Sequence, residues 1–305
     1  MKILFLRVGL ACNNRCTMCA GTWTEQPTLS TNDMFQKLKA GSKYGFDEIV
    51  ISGGEPTIRN DIPEIASAAR ELGYQSIVLQ TNGRRFADKK FTERYVNSGI
   101  TRFLISLHGA TAVIHDHHTN IPGSFDQAIA GIQNINDLST GHTRIAVHSV
   151  ILPTNYKSLD KIVDLLNTFG IPMLKMSYVV PVGRASGIFS NQNVPSMTET
   201  LPYIFRAVDL FVAYYGHTPM TSISIGYIPL CLMSVYQNFS DENGAPPTYF
   251  MNDRYELENA DEMMISQGLK VKREDCSYCK YNSICGGIWR EYPEHFGWNE
   301  FVPQV

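Results

Sequence analysis

Short apolar runs recur along the first 180 residues, and stretches with apolar positions at helical spacing separate them. The runs Ile3–Gly9, Glu48–Ser52, Ser76–Gln80, Phe103–Leu107, Arg144–Ile151 and Leu174–Val179 are rich in Ile, Val, Leu or Phe. That pattern predicts strands buried on both faces. Helices are predicted over Asn32–Tyr44, Ile62–Leu72, Asp88–Ser98, Phe125–Leu138 and Ser158–Phe169. Gly45, Gly73, Gly99 and Gly170 directly follow four of them, where a left-handed residue ends a helix. Six strands with intervening helices predict an α/β fold with a parallel sheet and right-handed crossovers. An open doubly wound sheet and a partial barrel both satisfy this pattern. Either architecture places its active site in the loops after the strands, where the unusual residues of this chain lie. Residues 197–215 predict one more helix, and then the alternation stops. The polar segment Ser240–Pro247 reads as a loop. The chain therefore divides into an α/β domain over 1–217 and a smaller C-terminal module over 218–305, without internal repeats.

Composition narrows the function. Of 305 residues 44% are apolar and 18% charged, enough for a large core and unlike a disordered chain. The formal charge of −3 lacks the basic footprint of a nucleic-acid binder. No apolar run approaches the roughly 18 residues of a membrane span. Met1–Leu10 runs straight into Cys12 without a small-residue cleavage site, so it reads as a strand rather than a signal peptide.

The seven cysteines fall into two groups: Cys12, Cys16 and Cys19, then Cys231, Cys276, Cys279 and Cys285. An odd count suits a secreted disulfide framework poorly, whereas tight clustering suits metal ligation. Thiolate ligands require a reducing, cytoplasmic setting. The first group has the spacing C-x3-C-x2-C, just after the first strand. Three thiolates can hold three irons of a [4Fe–4S] cluster and leave one iron open; a three-cysteine zinc site with a distant fourth ligand has the same spacing. The second group supplies four thiols, enough for a closed iron–sulfur shell or a structural zinc. Cys231 lies 45 residues before Cys276, in Ile228–Met233, a setting that also suits a buried free cysteine.

The C-x3-C-x2-C loop at the end of a first strand resembles the cluster loop of the radical S-adenosylmethionine (radical SAM) superfamily, over residues 1 to about 215. Ser52-Gly53-Gly54-Glu55-Pro56-Thr57, after the second strand, is similar to that family's glycine-glycine-glutamate-proline segment. The glycines allow backbone to approach a ligand closely, and a carboxylate suits an ammonium such as that of SAM. The resemblance carries SAM binding onto Gly53, Gly54, Glu55 and Pro56. It extends to Asn82 in Thr81-Asn82-Gly83, to Ser106 at the end of the fourth strand, and to Met18 against the adenine. Where relatives place an arginine after that serine, this chain reads His115-Asp116-His117-His118. An imidazole is a weaker anion partner than a guanidinium. His117 and His148 take that place, while His115 and His118 read as hydrogen-bonded core or surface residues. The second cysteine group resembles the twitch module of such enzymes, a shorter relative of the SPASM module that holds an auxiliary [4Fe–4S] cluster. Tyr178, Arg184, Tyr227 and Arg290 lie between the two groups and could face a substrate.

The resemblance implies a partial (β/α)6 barrel with a small C-terminal iron–sulfur module. It implies a [4Fe–4S] cluster bound with S-adenosyl-L-methionine, a second auxiliary [4Fe–4S] cluster, and an external reductant of flavodoxin or ferredoxin type. The implied chemistry is reductive cleavage of SAM, with the 5′-deoxyadenosyl radical abstracting hydrogen from a substrate C–H bond. The expected outcome is oxidative modification, by dehydrogenation or cross-linking, of a peptide or of a natural-product or cofactor precursor. A redox-neutral epimerisation or rearrangement is the second reading, and a non-catalytic iron–sulfur electron carrier the third. Gly53–Thr57 speaks against the carrier, which needs no SAM site. The first strand starts at Ile3, so a separate N-terminal peptide-recognition domain is not expected.

Overall fold

The computed structural model describes residues 2–22, 28–139, 143–191, 193–216 and 223–305. The expected domain boundary at 217/218 lies outside the described residues. Seven strands run in chain order across one sheet: β1 (Ile3–Arg7), β2 (Glu48–Ser52), β3 (Ser76–Thr81), β4 (Arg102–Ser106), β5 (Arg144–Ile151), β6 (Leu174–Tyr178) and β7 (Ile223–Gly226). Every neighbouring pair is parallel. An order without reversal rules out the doubly wound alternative, which needs a switch point. Right-handed crossovers repeated in one direction place the connecting helices on one face, and the sheet curls with that face outward. It stays open: β8 (Thr248–Met251) pairs with the outer edge of β1 and β9 (Leu257–Asn259) follows it, so β7 and β9 are the end strands among the described residues, with a single bridge from Ile225 to Ser240 on the outer side of β7.

Three strands of this sheet thus come from beyond residue 218. The alternation does not stop after the sixth strand: β7 is only four residues long, too short to stand out as an apolar run.

The outer layer comprises α1 (Thr31–Lys43), α2 (Ile62–Glu71), α3 (Lys89–Val96), α4 (Ala112–Thr119), α5 (Ser124–Leu138) and α6 (Leu159–Thr168). Ser30 and Asp33 form a capping box that starts α1, and the four predicted left-handed glycines all have positive φ. The pattern missed α4 because its buried positions are His115, His118 and Thr119 rather than apolar residues. Beyond β6 come α7 (Ile188–Asn191), α8 (Met197–Tyr215), α9 (Leu230–Met233), α10 (Ala260–Ser266) and α11 (Glu291–Phe296). The last segment also forms a small antiparallel pair, β10 (Lys270–Val271) with β11 (Ile288–Trp289).

The strands are not buried on both faces. Leu4, Leu6, Ile49, Ile51, Ile77, Leu79, Phe103 and Ile105 are sealed under the helices, but the alternate residues line the barrel interior and several are half-buried. Strand register arranges these in tiers. At the floor Glu48 accepts from Ser76 Oγ at 2.6 Å and pairs with Arg102 at 3.4 Å. Above it lie apolar residues in two steps: Phe5, Val50 and Val78 in register on β1, β2 and β3, and then Leu104 and Ala146 in register on β4 and β5, level with Gln80. Arg7, Ser52, Gln80 and Ser106 form a polar tier towards the C-terminal ends of β1 to β4, and His148 and Lys175, within β5 and β6, stand in register with Ser106.

Candidate functional site

The polar tier opens beneath the cysteine loop, Val8–Cys19, which four neighbouring loops hold by its backbone. After β2, Gly54 N donates to Gly9 O at 2.7 Å and Glu55 N to Ala11 O at 2.8 Å. A Cβ on Gly54 would sit 2.1 Å from Ala11 O, and one on Gly53 2.4 Å from Gly9 O. These glycines are required because the cysteine loop passes over them, a reason that sequence alone assigned to a ligand. After β3, Asn82 Nδ2 donates to Asn13 Oδ1 at 2.6 Å, and Arg84 reaches Asn13 O at 2.6 Å and Asn14 Oδ1 at 2.8 Å. The C-terminal carbonyls of α4 accept from the loop: Arg15 N to Thr119 O at 2.9 Å and Thr17 N to His118 O at 3.2 Å. After β6, Arg184 N donates to Cys19 O at 3.0 Å.

Glu55 is the hub of this clamp. Its Oε1 accepts from Thr57 N at 3.0 Å, Thr57 Oγ1 at 2.6 Å and Thr81 Oγ1 at 2.7 Å, and its Oε2 from Asn82 N at 2.7 Å. Burial leaves the carboxyl raised above the ordinary glutamate value, and the four donors offset only part of that rise. The carboxylate thus welds the loops after β2 and β3. Asn13, Asn14 and Arg84 escaped the sequence reading because single polar residues in loops carry no periodicity.

Burial raises the Cys16 thiol to about 12, with Cys12 and Cys19 adding to it as like charges. Burial raises Cys12 as well, against a backbone N–H···S bond from Asn14 at 3.3 Å. Thiols that raise one another lie close together, and loading them with metal releases their protons. Met18 is buried beside them, and Ser106 stands half-buried in register with His148.

The histidines separate. His115 and His118 are buried, both lowered to about 4 mainly by burial. His115 accepts at Nδ1 from His108 N at 3.1 Å, and His118 Nε2 lies 2.5 Å from Thr154 Oγ1. Asp116 caps α5 through Gly123 N and Phe125 N. His117 is exposed, edge-on to His118, and no described hydrogen bond ties it to the cysteine loop. His148 lies inside the barrel at 3.0 Å from Ser177 Oγ, lowered to about 4 by burial and then by Lys175. Lys175 pairs with Asp241 at 2.5 Å. Of the residues thought to face a substrate, Tyr178 belongs to the core, with its hydroxyl on Pro195 O at 2.6 Å. Arg184 and Arg290 are exposed, and Tyr227 is half-buried at the mouth with φ of 64°.

The second cysteine group is brought together completely. Cys231, Cys276, Cys279 and Cys285 line one cavity, with Pro229, Ile288, Trp298 and Phe301 among its apolar walls. Cys231, doubtful from sequence, is raised to about 11 by burial and by its neighbours Cys279 and Cys276. Gln304 N donates to Cys279 Sγ at 3.3 Å and Gly287 N to Cys285 Sγ at 3.4 Å. Behind Cys285, burial raises Glu242 to about 7. Among the described residues no three His, Cys, Asp or Glu side chains converge on one ion-sized point. Likewise, no described helix is long and apolar enough to cross a membrane.

The family profile of the Radical SAM superfamily matches residues 6–166. A "Probable GTP 3′,8-cyclase" of Saccharolobus solfataricus is 32% identical over 194 residues, 62% of this chain and 61% of that protein. An "AdoMet-dependent heme synthase" of Methanosarcina barkeri is 24% identical, over 94% of this chain and 90% of that protein. Among solved structures, Streptococcus suis SuiB bound to its precursor peptide SuiA superposes with a TM-score of 0.69. It shares 16% identity and covers 94% of this chain and 71% of SuiB, a likeness of fold.

Proposed function

The chain belongs to the radical SAM superfamily, and from that premise we propose that it oxidatively modifies a peptide or a natural-product or cofactor precursor, using a second, auxiliary iron–sulfur centre as electron acceptor. The observation that carries this reading is the cavity lined by Cys231, Cys276, Cys279 and Cys285. A tetrahedral zinc draws four sulfurs onto one ion at about 2.3 Å. A [4Fe–4S] cluster instead needs them spread around a cage, and four thiols would leave it no open iron. A closed shell suits electron transfer rather than substrate ligation. The names of the cyclase and the heme synthase favour a cofactor precursor, and the peptide-bound SuiB keeps a peptide in view.

In this reading Cys12, Cys16 and Cys19 hold the first cluster. Met18, Gly53, Gly54, Pro56, Asn82, Ser106 and His148 shape the SAM site, and Glu55 fixes its loops. When bound, the cluster and SAM supply one-electron cleavage of the SAM sulfonium and a 5′-deoxyadenosyl radical. Arg7, Gln80, Ser106, His148 and Lys175 line the space in which a substrate C–H bond is presented, and the apolar tier beneath keeps water out. The protein works in the cytoplasm with a flavodoxin- or ferredoxin-type reductant.

Anaerobic reconstitution tests the reading. Wild type should hold on the order of eight irons per chain. The Cys12→Ala/Cys16→Ala/Cys19→Ala protein should keep about half and lose SAM cleavage. Cys279→Ala should still form 5′-deoxyadenosine without finished product. Zinc in place of the second cluster, or full product from a Cys279→Ala protein that lacks it, refutes the acceptor role.

A further inference from the structure

The loop after β6 touches both halves of the molecule. It contains one tight turn, in which Ala185 N donates to Val182 O at 3.1 Å and Ser186 N to Gly183 O at 3.2 Å. Gly183 and Gly187 bracket the turn with φ of 65° and 72°, a left-handed conformation that a side chain would strain. Ala185 is buried, so the turn is anchored in the core. Within it, Arg184 N donates to Cys19 O at 3.0 Å. At its far end, Gly187 N meets a carboxylate from the C-terminal module. Glu291 accepts from it at 3.0 Å through Oε1 and 3.2 Å through Oε2.

Glu291 is half-buried and opens α11, which is fixed without its help. The next residue, Tyr292, is fully buried; its hydroxyl accepts from Met197 N at 2.6 Å and donates to Glu300 Oε1 at 2.7 Å. Its ring packs edge-on to Phe189 of α7, with centroids 5.4 Å apart. Three residues before Glu291, Ile288 lines the second cysteine cavity. The carboxylate therefore joins two anchored elements, and a charged acceptor makes a hydrogen bond about twice as strong as a neutral one. The supports from the β2 and β3 loops and from α4 grip the cysteine loop between Gly9 and Thr17, whereas the Arg184 N–H falls on its last cysteine. Resting on the assignment of Cys19 to the first cluster proposed above, we infer that Glu291 is a positioning residue for the first cysteine group. By holding Gly187 it fixes the turn that holds the Cys19 carbonyl, so the C-terminal module helps set where the third thiol of that group stands.

One arm of the test needs no iron. In the iron-free protein, Glu291→Ala should speed hydrogen exchange at Arg184, whose amide reports the bond to Cys19, by about tenfold or more. The control is Lys37→Met. Lys37 ties the same module to α1 through Met251 O at 2.6 Å and Asn252 O at 2.8 Å, a route that does not lead to Cys19. That variant should lose stability without faster exchange at Arg184. The second arm uses the reconstituted protein. Glu291→Ala should keep its iron, weaken SAM binding about two- to thirtyfold, and alter the change that SAM produces in the electron paramagnetic resonance of the reduced protein. Lys37→Met should alter neither. Glu291→Gln, whose amide oxygen still accepts from Gly187, should recover most of the wild-type behaviour. Glu291→Asp, one methylene short of Gly187, should repeat the alanine result, so an alanine variant that did not fold would not decide the matter. Unchanged exchange at Arg184 in the Ala and Asp variants, or an equal loss of SAM affinity in Lys37→Met, overturns the positioning role. Faster exchange at Arg184 in the variants of a protein whose wild type takes up no iron at Cys12, Cys16 and Cys19 overturns the function proposed above and leaves the hold on Cys19 standing.

Discussion

The two cysteine regions are built on opposite plans. The N-terminal loop is polar, and its backbone is held from four sides: by Gly54 and Glu55, by Asn82 and Arg84, by the end of α4, and by Arg184. The C-terminal cavity has mainly apolar walls, and its thiols receive N–H···S bonds from residues near in sequence or from the chain's last segment. In the function proposed above, the first plan positions three thiols and leaves the fourth place to a foreign ligand. The second closes four thiols around one volume. The difference teaches that an open site has to be rigid from outside, because the missing ligand cannot organise it, whereas a closed site can be organised by what it binds.

A single methyl group should break the comparison hardest. Gly54→Ala places a carbon against a backbone carbonyl, 2.1 Å from Ala11 O, and that carbonyl cannot move without the cysteine loop. Gly286→Ala, beside Cys285, meets only the tip of Lys270 at 2.9 Å, and a side chain can swing away. Gly54→Ala should lose about half of the iron and all SAM cleavage; Gly286→Ala should keep both. Iron analysis and 5′-deoxyadenosine formation measure it, and equal iron content in the two variants would falsify the distinction.

Acidity should sharpen the contrast, because the two regions carry opposite signs in the iron-free protein. His115 and His118 stay neutral down to about 4 in the fold but protonate near 6.5 when unfolded. The unfolded chain then binds more protons, so the barrel mouth loses stability as pH falls from about 6.5 towards 4, by an amount on the order of a few kcal/mol. Glu242 is raised to about 7. Its unfolded form releases the proton earlier, so the C-terminal module loses stability as pH rises from about 4.5 to 7. Hydrogen exchange followed at pH 5.5 and pH 7 should show protection shifting in opposite directions for 112–119 and 231–289.

The smallest expected effect is at Glu55. Glu55→Gln keeps the shape but turns an amide donor towards groups that already donate, namely Thr57, Thr81 and Asn82. It should cost about 1–3 kcal/mol of stability and weaken SAM binding indirectly, while the C-terminal iron is untouched. Urea unfolding and SAM titration of the same protein would show it, and a variant weakened in SAM binding at full stability would instead make Glu55 a direct ligand.

The sequence by itself determined the alternation of strands and helices, the ends of helices at Gly45, Gly73, Gly99 and Gly170, and both cysteine groups. These signals are local: a periodicity, a left-handed residue, a spacing. It could not determine which face of each strand was open, because an Ile or Val run reads alike whether helices cover both faces or one. Nor could it find β7, four residues long, or α4, whose buried face is made of histidines. The tertiary structure alone decided that Cys231 joins Cys276, Cys279 and Cys285, since 45 intervening residues carry no distance. It also decided that Glu55 spends its carboxylate on three neighbouring loop residues and that His148 rather than His117 lies inside the barrel. Those outcomes depend on how consecutive crossovers curl the sheet, which brings together residues whose separation along the chain says nothing about their separation in space.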